Sequence, residues 1–511
     1  GAQEFLVYED ERITFDAFAR AAIAIAAALE REGLARGDRV ALAMRNLPEW
    51  PAVFFGALLA GAIVVPLNAW WTGPELVFGL EDSASRFVFT DAERLERLGH
   101  DLPSRVQHMF VARGDDSGPA RPLEQILGPP SSWHKLPDAA MPCVALDPED
   151  NATIFYTSGT TGPPKGALGT HRSLTTNIFA TPFSMARNAL RRGTPPPDLQ
   201  ARTQRVTLVA VPFFHVTACL AALMPNAAAG GKLVLMRKFE AEAAMALIQK
   251  ERVSVTGGVP AIVLSLLEHP RFTDYDLSSL ELLSHGGAPS PSNLAARIRD
   301  HFPNAVPGNG WGMTETSATC TTHSAEEYEH RPASCGPALP VSRIRIMNAD
   351  GSAELPLGQV GELWAFGPNI VKGYWNRSED TQAVFRDGWL RTGDLAFMDE
   401  EGFCFIVDRA KDMLIRGGEN IYCIEVESAL CEHPAVADAA LIGLAHPVLG
   451  EVPAAVVQAR EPVNESDLRA FLADRVAAFK VPDRIAIRQA PLPRNASGKL
   501  VKSALKAMFG S

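Results

Sequence analysis

Cysteine is scarce. The 511 residues include seven, at positions 143, 219, 320, 335, 404, 423 and 431, an odd number with no C-x-x-C pair. That excludes a disulfide framework and a cysteine zinc site, and the thiols read as the reduced thiols of a cytoplasmic protein. Positive charge is also in deficit. Lys and Arg total 48 against 59 Asp and Glu, a formal net charge of −11, which argues against a nucleic-acid surface. Long hydrophobic runs are nearly absent. The one candidate, Trp50 to Leu67, contains Pro51, Gly56, Gly61 and Pro66. It reads as a buried helix, a turn at Ala60-Gly61 and a buried parallel strand, so no integral membrane segment is expected. No secretory leader is legible. The chain opens abruptly at Gly1-Ala2-Gln3-Glu4, and Phe5-Leu6-Val7-Tyr8 already reads as a strand.

What is present is a globular composition: 47% hydrophobic, 21% charged, with 40 Gly and 38 Pro, long enough for two or more cores. From residue 5 to about 405, short β-rich runs alternate with helical stretches. Strands are expected at Arg39–Ala43, Val206–Val211, Lys232–Met236 and Leu282–Ser284, and helices at Phe15–Glu32 and Ala241–Glu251. The alternation predicts α/β layers built on parallel sheets. Ser342–Phe405 is richer in β pattern and predicts a small barrel or curled sheet. After Arg409 the pattern restarts as a compact α+β unit of about a hundred residues, enough for its own core. The expected organisation is therefore α/β: a large N-terminal domain of layered subdomains plus the barrel-like one (1–409), hinged to a small α+β domain (410–511).

One stretch carries most of the functional information. Ala152–Tyr156 reads as a buried strand, and Thr157-Ser158-Gly159-Thr160-Thr161-Gly162-Pro163-Pro164-Lys165-Gly166 follows it. Glycines let the backbone approach a ligand, exposed N–H groups form an anion nest, hydroxyls add donors and Lys165 adds charge. The implied ligand is a polyphosphate. A Walker A loop is excluded, because Gly166 rather than Ser or Thr follows Lys165, and Pro163-Pro164 blocks the helix that would begin there.

This loop resembles the phosphate loop of the AMP-forming adenylating superfamily, which includes acyl-CoA synthetases, adenylation domains of peptide synthetases and beetle luciferases. The resemblance extends in order to Lys499 and covers nearly the whole chain. Relatives usually carry a helical segment ahead of the first strand here, so an incomplete N-terminus is expected. Gly310-Trp311-Gly312-Met313-Thr314-Glu315 resembles the family's aromatic-G-x-T-E signature. It implies that Trp311 stacks on adenine, Thr314 donates to the α-phosphate, and Glu315 binds Mg²⁺; Tyr is commoner at Trp311. Gly286-Gly287-Ala288-Pro289 is similar to the floor under adenine. Asp394, in Trp389-Leu390-Arg391-Thr392-Gly393-Asp394, would accept the ribose hydroxyls, and Arg409 would add a ribose or phosphate contact. Lys499, in Pro493-Arg494-Asn495-Ala496-Ser497-Gly498-Lys499, resembles the catalytic lysine that bridges the carboxylate and the α-phosphate. Lys411 aligns with the hinge. Gly417, Gly418 and Glu419 resemble the loop lining the pantetheine tunnel. His215, Val216, Ala218, Val259, Pro260 and Met313 are the candidate acyl pocket, apolar and without a cation for a second carboxylate.

The expected function is ATP-dependent carboxylic acid–CoA ligation through an acyl-adenylate, with ATP, Mg²⁺ and coenzyme A, on a hydrophobic monocarboxylic acid, fatty, aryl or alicyclic. A homodimer would be ordinary. Two alternatives remain open: a stand-alone adenylating enzyme that passes the acyl group to an amine or a carrier-protein thiol, and a non-catalytic nucleotide-binding protein.

Overall fold

The computed structural model describes residues 1–99, 102–114, 118–157, 163–191, 193, 204–288, 291, 293–494 and 500–509. Two mainly parallel sheets form the bulk of the chain. The first runs, in spatial order, Ala318–Ser324, Val306–Met313, Leu282–Gly286, Val255–Gly258, Val206–Val209, Lys232–Leu235, Glu4–Tyr8 and Glu11–Thr14. Only its outermost pairs are antiparallel. The second runs Arg121–Pro122, His108–Ala112, Phe87–Asp91, Arg39–Ala43, Ile63–Pro66, Asn151–Tyr156 and Gly166–Thr170, antiparallel only at the last pair. Helices between the strands supply the crossovers that parallel pairing requires.

The apolar run of the sequence resolves as helix, turn and strand. Glu49–Leu59 is helical and Ile63–Pro66 is a fully buried strand. The helix can be apolar on most sides because it is covered. It packs against the helix Phe15–Arg31, and Trp50 stacks on both Phe54 and Phe213 with centroids 5.2 Å apart. No described helix is long and apolar enough to cross a membrane.

The β-rich segment is a six-stranded antiparallel sheet: Gly336–Pro337, Phe403–Arg409, Trp389–Met398, Gly361–Phe366 and Arg343–Met347 in order, with Phe385–Arg386 added on Trp389–Met398. Its last strand ends at Arg409. The next strand, Leu414–Arg416, belongs to a separate sheet with Glu419–Ile421, Gly450–Ala459, Val436–His446 and Arg484–Arg488. That sheet has its own core, in which Val426, Leu430, Leu441, Val457 and Leu468 meet.

Asp408 pins the two parts together. Its carboxylate, 1% exposed, accepts the N–H of Arg409 at 2.7 Å and the N–H of Cys423, the first residue of the helix Cys423–Cys431. Tyr422, at the N-cap, makes no side-chain cap, so Asp408 does that work from across the junction. Burial pushes its pKa up to about 6, against the pull of these two N–H groups. Folding therefore favours the protonated form. Its contribution to stability is full below about pH 4 and is lost as pH rises through about 6. Asp408→Asn removes this titration. The stability of that variant relative to wild type should rise by about 1 kcal/mol between pH 5 and pH 7. Denaturant titration at the two pH values measures it, and a constant difference would mean that Asp408 titrates normally.

Candidate active site

The motif residues gather at the carboxyl ends of the parallel strands, where open α/β sheets bind ligands. Thr157 follows Asn151–Tyr156, and Gly287-Ala288 follows Leu282–Gly286. Trp311, Gly312 and Met313 end Val306–Met313, and the turn to His215 follows Val206–Val209. The N–H of Thr157 donates to the carbonyl of Lys165 at 2.9 Å, closing the neck of the glycine-rich loop. The chain then enters the strand Gly166–Thr170, not a helix. Ser158, Gly159, Thr160, Thr161 and Gly162, together with Pro289 and Lys499, lie outside the described residues.

Three candidates meet directly. The indole Nε1 of Trp311 donates to Asp394 Oδ2 at 2.8 Å, and Arg409 Nε donates to Asp394 Oδ1 at 2.7 Å. Asp394 is 5% exposed, and its carboxylate holds Arg409 firmly charged. Both carboxylate oxygens keep further lone pairs with which to accept a diol. Trp311 supplies a hydrogen bond here as well as a ring face.

Glu315 anchors a second group. Its carboxylate is 6% exposed, and Oε1 accepts the hydroxyl of Tyr374 at 2.6 Å. Burial, with Glu315 alongside, raises the pKa of Tyr374, so the phenol stays a donor. The ammonium of Lys165 lies over the Tyr374 ring, 5.3 Å from its centroid, and is ion-paired with Asp380. Tyr374 thus links the lysine of the phosphate loop to the carboxylate of the second motif. No cluster of three His, Cys, Asp or Glu that could hold a metal occurs among the described residues. A single hard oxygen donor at Glu315 fits Mg²⁺, which takes its other ligands from phosphate and water.

Gly312 has a packing reason of its own. A Cβ there would lie 1.7 Å from the carbonyl oxygen of Ala318, in the neighbouring strand. Thr314 opens the turn Thr314–Thr316, and its carbonyl accepts the N–H of Ser317 at 3.1 Å. In the acyl region the ring of His215 tilts over Phe214 at 4.5 Å and faces Trp70 at 6.1 Å. Val216 and Ala218 lie deeper, 8% and 0% exposed in the main core, while Val259 and Met313 are half-buried.

Lys411 sits in the turn between the third and fourth sheets, where the N–H of Ala410 donates to Gly393 O at 2.9 Å. Gly417 and Gly418 have φ of +59° and +93° and form the exposed tip of the hairpin that leads into Glu419. Two successive positive φ values are what a tight hairpin turn requires. Arg494 and Leu500 form an antiparallel bridge at the base of the loop that carries Lys499.

Sequence reasoning missed Tyr374 and Asp380. Both lie between the motifs that end at Glu315 and begin at Trp389, in a segment with no glycine-rich signal. The bridge between Ala167 and Tyr374, and the ion pair between Lys165 and Asp380, bring them in.

The profile of the AMP-binding enzyme family matches residues 1–375, and that of the AMP-binding enzyme C-terminal domain matches residues 425–499. A feruloyl-CoA synthase of Amycolatopsis sp is 34% identical over 98% of this chain and 94% of its own length. A long-chain-fatty-acid–CoA ligase of Mycobacterium tuberculosis is 34% identical over 98% and 94%. Among solved structures, the o-succinylbenzoate CoA synthetase of Bacillus subtilis, in complex with its acyl-adenylate, superposes with a TM-score of 0.81 at 31% identity, covering 99% of this chain and 95% of that one. With both profiles matched in order and these relatives aligned almost end to end, the chain belongs to the AMP-binding enzyme family.

Proposed function

We propose that this protein is an ATP-dependent carboxylic acid–CoA ligase acting on a hydrophobic monocarboxylic acid, fatty or aryl. The observation that carries the reading is the convergence of Trp311, Asp394 and Arg409 beside Glu315, Tyr374 and Lys165 at one end of the two parallel sheets. That arrangement offers a ring face and a diol acceptor on one side and phosphate-binding charge on the other. The relatives' names, all of CoA synthetases or ligases, support thiol transfer as the second step.

In this reading the substrate carboxylate attacks the α-phosphorus of ATP and pyrophosphate leaves. Asp394 and Arg409 hold the ribose. Lys165 and the loop that begins at Thr157 hold the phosphates, with Thr314 directed at the α-phosphate. Lys499 offsets the charge where the two anions meet, and pre-set charge of this kind is worth most in a site shielded from water. Mg²⁺ bound at Glu315 would neutralise phosphate charge. The small domain, proposed to begin at residue 410, then turns about Lys411. That withdraws Lys499 and brings Gly417 and Gly418 to the CoA thiol, which displaces AMP.

The acyl specificity follows from the candidate pocket. His215 apart, Val216, Val259, Pro260 and Met313 offer apolar surface. Each buried methylene should gain about 0.8 kcal/mol until the space is full. A second carboxylate desolvated there without a partner costs several kcal/mol. In a pyrophosphate-release screen with CoA, kcat/KM should rise along straight-chain monocarboxylates from acetate and then fall, with matching dicarboxylates poor throughout. A best substrate of acetate, malonate or an amino acid would overturn the hydrophobic-acid reading.

A further inference from the structure

The chain on either side of Lys499 is held by more than packing. After it, Leu505 and Phe509 are 0% and 6% exposed and lie in one apolar cluster with Ile442, Val456 and Leu492. That cluster attaches the terminal helix Lys502–Lys506 to the strand Val436–His446. A charged anchor is added to it. Lys502, three residues beyond Lys499, turns its ammonium inward to Glu427 Oε1 at 2.8 Å, and the two side chains are only 22% and 11% exposed. The same oxygen accepts the N–H of Leu441, in that strand, at 2.7 Å. Before Lys499, Arg494 is held to Asp438 of the same strand at 2.6 Å, and the N–H of Val501 donates to the carbonyl of Pro493 at 2.9 Å.

The anchor also reaches the junction. Glu427 belongs to the helix Cys423–Cys431. The first residue of that helix, Cys423, donates its N–H to Asp408 and its thiol to the carbonyl of Asp412 at 3.0 Å. Asp408 and Asp412 stand on either side of Lys411 in the chain. Burial alone would strip the charge from Lys502, but Glu427, Cys423 and Asp412 outweigh it and raise its pKa, so the ammonium stays charged. Stability does not explain such a pair. Taking two charges out of water costs about as much as their attraction returns, and apolar side chains of similar volume generally hold a fold as well. Leu505 and Phe509 already supply that hold. What the ion pair adds is direction. An ammonium aimed at one carboxylate oxygen fixes how the chain leaves Lys499, where packing alone tolerates several arrangements.

We propose that Lys502, through Glu427, is a positioning residue for adenylation: it fixes the end of the segment that carries Lys499 and sets it on the same helix that Asp408 and Asp412 hold. The inference rests on the CoA-ligase reading above and on the role given there to Lys499. A lysine that must reach between a carboxylate and a phosphate tolerates little misplacement, since a shift of about 1 Å can cost about 10²-fold in rate. Thiol attack follows the withdrawal of Lys499, so it should not need Lys502.

The test uses the double variant Lys502→Met, Glu427→Gln in the full chain. Lys502→Met alone leaves Glu427 buried without its partner and risks a folding defect. The double variant buries neither charge, and the amide oxygen still accepts from Leu441. Its melting temperature should stay within about 5 °C of wild type. Adenylate formation, read as pyrophosphate release, should lose about tenfold or more in kcat, with KM for ATP and for the acid within about threefold. Thioester formed from supplied adenylate should keep its rate within about threefold. Equal losses in both half-reactions, or a fall in melting temperature large enough to unfold the small unit at the assay temperature, would make the pair structural only and overturn the assignment. So would a loss confined to KM for ATP. A wild-type enzyme that releases no pyrophosphate with any acid would overturn the ligase reading and this inference together. A CoA-dependent wild type with an unaffected double variant would overturn the inference alone.

Discussion

Lys499→Ala should cut acyl-adenylate formation by about 10²–10³-fold, while pre-formed acyl-adenylate is still converted to thioester within threefold of the wild-type rate. The asymmetry follows from where charge builds up. When a carboxylate meets the α-phosphate, two anions are forced together, and one ammonium delivered between them relieves that repulsion. Thiol attack on the mixed anhydride creates no such encounter at the same place. The loop carrying Lys499 is closed at its base by the bridge between Arg494 and Leu500, and Arg494 is held to Asp438 at 2.6 Å. Both anchors belong to the small C-terminal unit, so the lysine travels with it. Pyrophosphate release reports the first half-reaction, and thioester made from supplied adenylate reports the second. Equal loss in both would show that Lys499 holds the fold or the nucleotide rather than the first transition state.

Lys411→Pro should do the reverse. It should slow thioester formation about tenfold or more and leave adenylation within threefold. Proline fixes φ near −65° and restricts the residue before it, here Ala410. Ala410 and Lys411 lie in the short turn between the last strand of the third sheet and the first strand of the fourth, so any rotation of the small unit must be absorbed there. Arg460 reaches Glu268 at 2.8 Å across the rim, but the pair is half-exposed and worth only about 0–1 kcal/mol. Single-turnover measurements separate the two steps. Normal overall turnover would remove Lys411 from the role of hinge.

Much of the fold was legible because the signals were local. The helix expected over Ala241–Glu251 spans those residues, and the segment Ser342–Phe405, read as β-rich, opens with the strand Arg343–Met347. The apolar stretch from Trp50 divides where Ala60-Gly61 breaks it. Elements ran short where a strand faded into a ligand-facing turn: Val206–Val211 was expected, but the ladder stops at Val209, because Pro212 and the path to His215 take the chain out of the sheet. The helix Glu465–Ala473 likewise stops where the chain turns to reach Ala478–Lys480. In the site, glycine-rich motifs announced themselves, but their braces did not. Tyr374 has no motif, and its contact with Glu315 spans 59 residues of sequence. Gly312 stood out only as part of a motif, and the Ala318 carbonyl gives it a packing reason that the motif does not show.

The hydrogen bonds from Trp311 and Arg409 to Asp394 have a consequence for energetics rather than chemistry. Trp311 belongs to the eight-stranded sheet, while Asp394 and Arg409 belong to the antiparallel one. The carboxylate proposed for the ribose is therefore also a rivet between two layers of the protein. Linkage makes such an arrangement reciprocal: whatever tightens the seam pre-forms the ligand site, and ligand held there must tighten the seam by the same free energy. A fold joined at its own binding site is most rigid when that site is in use.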